Sequence, residues 1–227
     1  MRRLTNDNRL VVSVNSDSPV SEAYRMLRTN IQFSSVDVAI KVLMVASAQA
    51  GEGKSTVICN LAIAYAQEGK RVLLIDADLR KPSIHRIFNQ TNRLGLSNIL
   101  SSQNSLQEVV KETFVENLDL ITSGPTPPHP AEMLGSMKMK SLLEELRESY
   151  DMVLFDTPPI LAVTDGLIVS SLCDGVVIVI HSGKVKKVHV RKAKEKLDYV
   201  QANIIGAVFN RMQRREIDYV KYYGTGK

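Results

Sequence analysis

Two hydrophobic rhythms alternate along this chain. Val42–Ser47, Val72–Asp76, Met152–Asp156 and the segments 175–180 and 204–209 are nearly unbroken apolar runs of five or six residues. Such runs suit strands buried on both faces of a sheet rather than strands with one face in water. Residues 118–122 read as a further strand. Between these runs, apolar residues recur every three or four positions. That period predicts helices over 18–33, 55–67 and 137–150 and around 164–172. Ser18 caps the first of these, with Pro19 in its first turn, and Gly69 ends the second. Residues 77–117 are mixed, with short helical pieces around 83–88, 96–100 and 106–110. The segment 123–130, SGPTPPHP, is a proline-rich loop that cannot be a helix interior. Strands alternating with helices predict an α/β fold: a mostly parallel central sheet with helices on both faces. In such a sheet the ligand sits at the carboxyl ends of the strands. No repeat or linker divides the chain, so 1–212 is expected to be one domain and 213–227 a mobile, tyrosine-rich tail.

Composition narrows the picture. At 227 residues, 44% hydrophobic and 23% charged, the chain matches an ordinary globular domain with a full core. No apolar stretch approaches the roughly 18–20 residues that span a bilayer. The N-terminal MRRLTNDNRLVVSV has two arginines but no apolar core behind them, a poor signal peptide. Cys59 and Cys173 form no paired motif, which suits a reduced, cytosolic setting. His85, His129, His181 and His189 show no metal-ligand spacing and read as structural or surface residues. The net charge of +5 is uneven: residues 184–196 hold seven Lys or Arg and one Glu. This segment is a solvated helix face or a surface for an anionic membrane, a protein or nucleic acid. It has no interleaved aromatics for base stacking, so nucleic acid is not expected.

Five motifs carry candidate chemistry. Residues 48–56, AQAGEGKST, form a Walker A loop between a strand and a helix, with Ala48 where glycine is usual. Its nucleotide-binding positions are Ala50, Gly51, Glu52, Gly53, Lys54, Ser55 and Thr56. The loop amides wrap phosphate oxygens, Lys54 reaches the terminal phosphates and Ser55 ligates Mg²⁺. Asp156 ends the apolar run MVLFD, as expected of a Walker B carboxylate. Asp76 and Asp78 end VLLIDAD, with Arg80 close behind. If extension continues past the strand end, both carboxylates face the phosphate site. One then binds metal and the other accepts a proton; alternatively, Asp78 only caps the next turn. Arg80 is a phosphate clamp or an ordinary ion-pair partner. Tyr219, Tyr222 and Tyr223 crowd the C-terminal tail. Glu22, Arg25 and Arg28 follow ExxRxxR spacing, which places them along one helix stripe. Asn210, just after the last strand, is a candidate contact for the base.

Together these motifs resemble the bacterial tyrosine kinases, or BY-kinases, and specifically the free-standing kinase of Gram-positive capsule and exopolysaccharide systems. The matching residues are the loop 48–56, the strand VLLIDADLR, the strand ending Asp156-Thr-Pro-Pro, the ExxRxxR helix and the tyrosine tail. Ala50 departs from the proline often found before Gly-Glu-Gly. The resemblance implies a P-loop NTPase of MinD/ParA-like topology that uses ATP and Mg²⁺, with Ser55, Asp76 and Asp156 around the metal. Lys54, Asp76, Asp78, Arg80 and Asp156 are its expected catalytic set. It implies phosphorylation of Tyr219, Tyr222 and Tyr223 between copies, ring-like homo-oligomers formed through Glu22, Arg25 and Arg28, and other tyrosine-bearing protein substrates. It also implies a separate transmembrane activator that recruits a cytoplasmic kinase to the inner membrane face. The main rival is a ParA/MinD-like ATPase switch. Such proteins carry an extra lysine early in the loop, and here that position is Gln49. A nucleotide-gated adaptor using residues 184–196 is the non-enzymatic alternative.

Overall fold

The computed structural model describes residues 10–34 and 39–212. Among these residues seven strands form one sheet: β1 (Val42–Ser47), β2 (Val72–Asp76), β3 (Lys111–Glu112), β4 (Leu118–Ile121), β5 (Met152–Asp156), β6 (Gly175–His181) and β7 (Ile204–Asn210). Their order is β3-β4-β2-β5-β1-β6-β7, and every pairing is parallel except the short β3–β4 edge. Central placement explains the runs of β1, β2 and β5, but β7 is the edge strand, and its Gly206, Ala207 and Phe209 are exposed, so the run 204–209 is not covered on both faces as expected. Each residue of β1, β2 and β5 is buried, and their alternate side chains feed two cores. Leu43, Val45, Leu74 and Leu154 enter one; Met44, Ala46, Ile75 and Phe155 enter the other.

Among the described residues ten helices cover the two faces. On the first face lie α1 (Val11–Val14), α2 (Pro19–Phe33), α3 (Lys54–Ala66) and α4 (Ile84–Ile87). On the second lie α5 (Leu96–Leu100), α6 (Leu106–Val109), α7 (Pro130–Leu134), α8 (Met137–Ser149), α9 (Asp165–Ser170) and α10 (Lys187–Tyr199). Helix α3 is sealed between the sheet and α1 and α2, which explains why it is apolar nearly all round. Ser18 caps α2 by accepting from the Ser21 amide at 3.1 Å, and Ser136 caps α8 by accepting from the Met139 amide at 3.2 Å.

Three small elements lack a sequence signal. Helix α1 is a single turn, fixed by an Asn60 side-chain oxygen that accepts from the Val12 amide at 3.1 Å. Strand β3 is two residues long and held by the sheet edge. Pro130 ends the expected loop by opening α7, where its fixed φ and missing N–H are tolerated in a first turn.

Candidate active site

The phosphate loop leaves β1 at the carboxyl end of the sheet and turns into α3. Two positive-φ glycines make that turn, Gly51 at +80° and Gly53 at +96°. Gly53 is the N-cap of α3, so the first amides of the helix stay open toward an anion. Two side chains brace the loop. Glu52 is buried; one of its oxygens accepts from the Gln49 amide and the other from the His181 amide at 3.4 Å. Asn210, at the end of β7, donates its amide to the Glu52 carbonyl at 2.9 Å. A Cβ at Gly53 would collide with that Asn210 amide. Glu52 and Asn210 therefore act here on the shape of the loop. Ala50 is exposed on the outside of the turn.

Beside the loop, Asp76 and Asp156 are direct partners in the β2–β5 register. The Ser55 hydroxyl donates to Asp156 Oδ2 at 2.6 Å, while Asp156 Oδ1 is buried without a partner. Burial pushes the Asp156 carboxyl up, although Lys54 and the Ser55 hydroxyl oppose this. Asp76 is fully buried. Its Oδ2 accepts from the Ser83 and Ile84 amides, each at 3.0 Å, and its Oδ1 from the Asp78 amide at 3.2 Å. Burial, then the Asp156 charge, raises its pKa to about 7.

Strand β2 ends at Asp76, although the Ala77 amide still donates to the Asp156 carbonyl at 2.8 Å, and the Asp76 carboxylate collects the amides at the start of α4. Asp78 also caps locally, with Oδ1 accepting from the Arg80 and Lys81 amides at 3.3 and 2.9 Å. It is nevertheless part of the acidic cluster, since its charge acts on both Asp76 and Asp156. Arg80 makes the ion pair: its guanidinium holds the fully buried Asp165 with two bonds, at 2.8 and 3.0 Å. Asp165 opens α9 just after the Asp-Thr-Pro-Pro turn, and nothing in its local sequence set it apart. The buried Thr157 hydroxyl, also without a partner, was equally silent.

These residues fit a nucleotide with Mg²⁺. Among the described residues no three His, Cys, Asp or Glu side chains form a metal-holding group. Ser55 and Asp156 would hold Mg²⁺ together with phosphate oxygens and water; Asp76, also expected at the metal, has both oxygens bonded to backbone amides. The Asp156 oxygen left without a partner would be available to such a water.

Other expected residues lie elsewhere. Glu22 and Arg25 pair with each other at 2.7 Å on α2. Arg28 faces inward instead of joining their stripe: it donates to the Ala64 carbonyl at 2.7 Å and pairs with Glu68 at 3.5 Å. Tyr219, Tyr222 and Tyr223 lie outside the described residues.

A family model described as an AAA domain matches residues 40–205. The chain is 49% identical over 205 residues to the tyrosine-protein kinase YwqD of Bacillus subtilis (strain 168), covering 90% of this chain and 86% of that one. It is a bacterial tyrosine kinase by family. Another BY-kinase relative, the putative tyrosine-protein kinase CapB of Staphylococcus aureus, is 41% identical, with 91% of each chain covered. The crystal structure of the chimerical protein CapA2B2 superposes with a TM-score of 0.88 at 40% identity, over 91% of both chains. MinD of Pyrococcus horikoshii, complexed with Mg-ADP, shares the P-loop fold at a TM-score of 0.66 and 22% identity, over 77% of this chain and 71% of that one. Among the described residues no helix is long and apolar enough to cross a membrane.

Proposed function

We propose that this BY-kinase transfers the γ-phosphoryl group of ATP to protein tyrosines, including Tyr219, Tyr222 and Tyr223 of neighbouring copies. Through these and other protein substrates it regulates capsule or exopolysaccharide synthesis and export. The supporting observation is the gathering of Asp76, Asp78 and Asp156 beside a phosphate loop, in a chain so similar to a tyrosine-protein kinase. The loop amides and Lys54 hold the phosphates. Ser55 and Asp156 would hold Mg²⁺, which when bound would neutralise charge on the phosphate oxygens. A tyrosine hydroxyl has an ordinary pKa near 10 and needs a base. Asp76 or Asp78 accepts that proton; Asp76 is fully buried with both oxygens bonded to amides, whereas Asp78 is partly open to solvent. Asp78, half-buried at the rim, forms the entrance for the ring. Positioning and charge stabilisation supply most of the rate.

The oligomer and a separate transmembrane activator belong to the same proposal, and the activator would hold the kinase at the inner membrane face. The chimerical relative CapA2B2 supports a second protein as partner. Gln49, exposed on the loop, cannot supply the cross-dimer lysine that a MinD-like switch uses.

The test is phosphopeptide mapping after incubation with ATP and Mg²⁺. Phosphate is expected on the tail tyrosines of the wild type. It should vanish in Lys54→Met and in the triple variant Tyr219→Phe, Tyr222→Phe, Tyr223→Phe. Release of free phosphate with unmodified tyrosines would instead establish the switch.

A further inference from the structure

The basic segment 184–196 takes no part in the site described above. Lys184, Lys186, Lys187, Arg191, Lys192 and Lys196 are all exposed. Among the described residues only Lys194 of this segment has an ionic partner, Asp198 at 2.6 Å. Helix α10 has no acidic residue in its first turn. The large apolar residues exposed on it, Val188 and Tyr199, stand at opposite ends, so this face is a charged surface without an apolar anchor.

The chain leaves the described domain beside this surface. Asn210 is paired with His181 in the β6–β7 register. The Ser182 amide donates to the Asn210 carbonyl at 2.9 Å, and the Lys184 amide donates to the His181 carbonyl at 3.2 Å. The basic residues therefore begin within one turn of where the tail departs. Nine residues from Asn210 to Tyr219 can span about 30 Å at ~3.3–3.6 Å each. The 13 residues of α10 rise only about 20 Å at ~1.5 Å each.

Charge supplies the switch. Residues 213–227 contain Arg214, Arg215, Lys221 and Lys227 against Glu216 and Asp218. The unmodified tail is thus repelled by α10. Each phosphate adds roughly −1.5 to −2, so three invert the sign of the tail. We infer that the phosphorylated tail docks in cis on the basic face of α10. Its phosphates bond to Lys184, Lys187, Arg191 and Lys192, which withholds the product tail from the neighbouring copy's site. The inference rests on the tyrosines being phosphate acceptors, as proposed above. Tethering favours the tail over any free anion, because it raises the local concentration to about the millimolar range.

The experiment compares lysine acetylation, read by mass spectrometry, on three full-length samples. The first is Lys54→Met and the second is wild type incubated with ATP and Mg²⁺. The third is Lys54→Met with phosphotyrosine genetically encoded at 219, 222 and 223, which needs no kinase activity. In the phosphorylated samples, acetylation of Lys184, Lys187 and Lys192 should fall about threefold or more. Lys138 and Lys140 on α8 should be unchanged. Phosphatase, ~0.5 M salt or the triple variant Lys184→Glu, Lys187→Glu, Arg191→Glu should abolish the protection. Dilution should not. Equal reactivity in the encoded sample overturns the docking, and protection that disappears on dilution overturns docking in cis. If vesicles of phosphatidylglycerol protect the same lysines equally with and without tail phosphate, the patch serves a membrane and the inference fails. An encoded sample that is protected while the ATP-treated one gains no phosphate would retain the docking and reject the kinase reading.

Discussion

At the scale of single residues, the site stores electrostatic stress that a ligand must relieve. Asp76 and Asp156 are neighbours across two central strands and both are fully buried. In the fold burial and the Asp156 charge raise the Asp76 pKa to about 7, against an ordinary aspartate value of about 3.9. The folded state thus binds more protons than the unfolded chain between those values, and this group's contribution to stability falls as pH rises through that window. Asp76→Asn keeps an oxygen for the Ser83 and Ile84 amides and removes the charge. The nucleotide-free variant should therefore melt several degrees higher than wild type at pH 8, at about 2–4 °C per kcal/mol, with no gain at pH 4. It should also lose kinase activity. Thermal melts at the two pH values check this, and an equal gain at both would refute the electrostatic cause. Arg80 is a second residue-scale case. Its fork on buried Asp165 ties the Asp78 turn to the segment after β5, so it acts through geometry. Arg80→Ala and Asp165→Asn should each lower kcat by on the order of 10²-fold, leave nucleotide affinity nearly unchanged, and combine without adding. A loss of nucleotide affinity in Arg80→Ala alone would restore the phosphate-clamp role. Here the sequence offered two options, because a partner 85 residues away has no local signature.

The elements show why some of the fold was legible and some was not. Strands β1, β2 and β5 are visible as unbroken apolar runs because both faces are covered, and α2 is visible because Ser18 and Pro19 mark its start. Helix α1 and strand β3 are invisible because distant partners hold them. The phosphate loop was legible by residue type, yet its bracing by the last strand was not. Asn210 donates to the loop across 158 positions of sequence. That tether yields a prediction about the join between loop, α3 and β7. Gly53→Ala meets two obstacles, a φ of +96° and the Asn210 amide. The first costs about 1–2 kcal/mol for a residue with a Cβ. Adding Asn210→Ala removes the collision but not the φ penalty, and it also loses the bond to the Glu52 carbonyl, so the double variant should recover part of the nucleotide affinity lost in Gly53→Ala but not all of it. Calorimetric titration with ADP and Mg²⁺ measures this. Full recovery would show that neither the backbone conformation at Gly53 nor the Asn210 tether contributes to affinity.

For the whole molecule, the question is what phosphorylation does to an assembly of copies. The proposed ring needs α2 on the outside of the domain and the tail of one copy at the site of the next. Arg28 is engaged with Ala64 and Glu68 of its own chain, leaving Glu22 and Arg25 as the more exposed members of the motif. An interface of exposed ion pairs contributes little by itself, about 0–1 kcal/mol per pair. The docked tail must therefore supply a substantial share of the contact between copies. Under the proposal its tyrosines would enter a site already holding Asp76, Asp78 and Asp156, and after transfer each would carry roughly −1.5 to −2 of charge. Repulsion from those carboxylates then removes the contact that the interface depends on. Full autophosphorylation should accordingly lower the assembly mass, and the triple Tyr→Phe variant should keep the larger mass in ATP. Light scattering on the two proteins before and after incubation decides it. An equal mass at full phosphorylation would mean that the ring is held by α2 alone and that the tail is only a substrate.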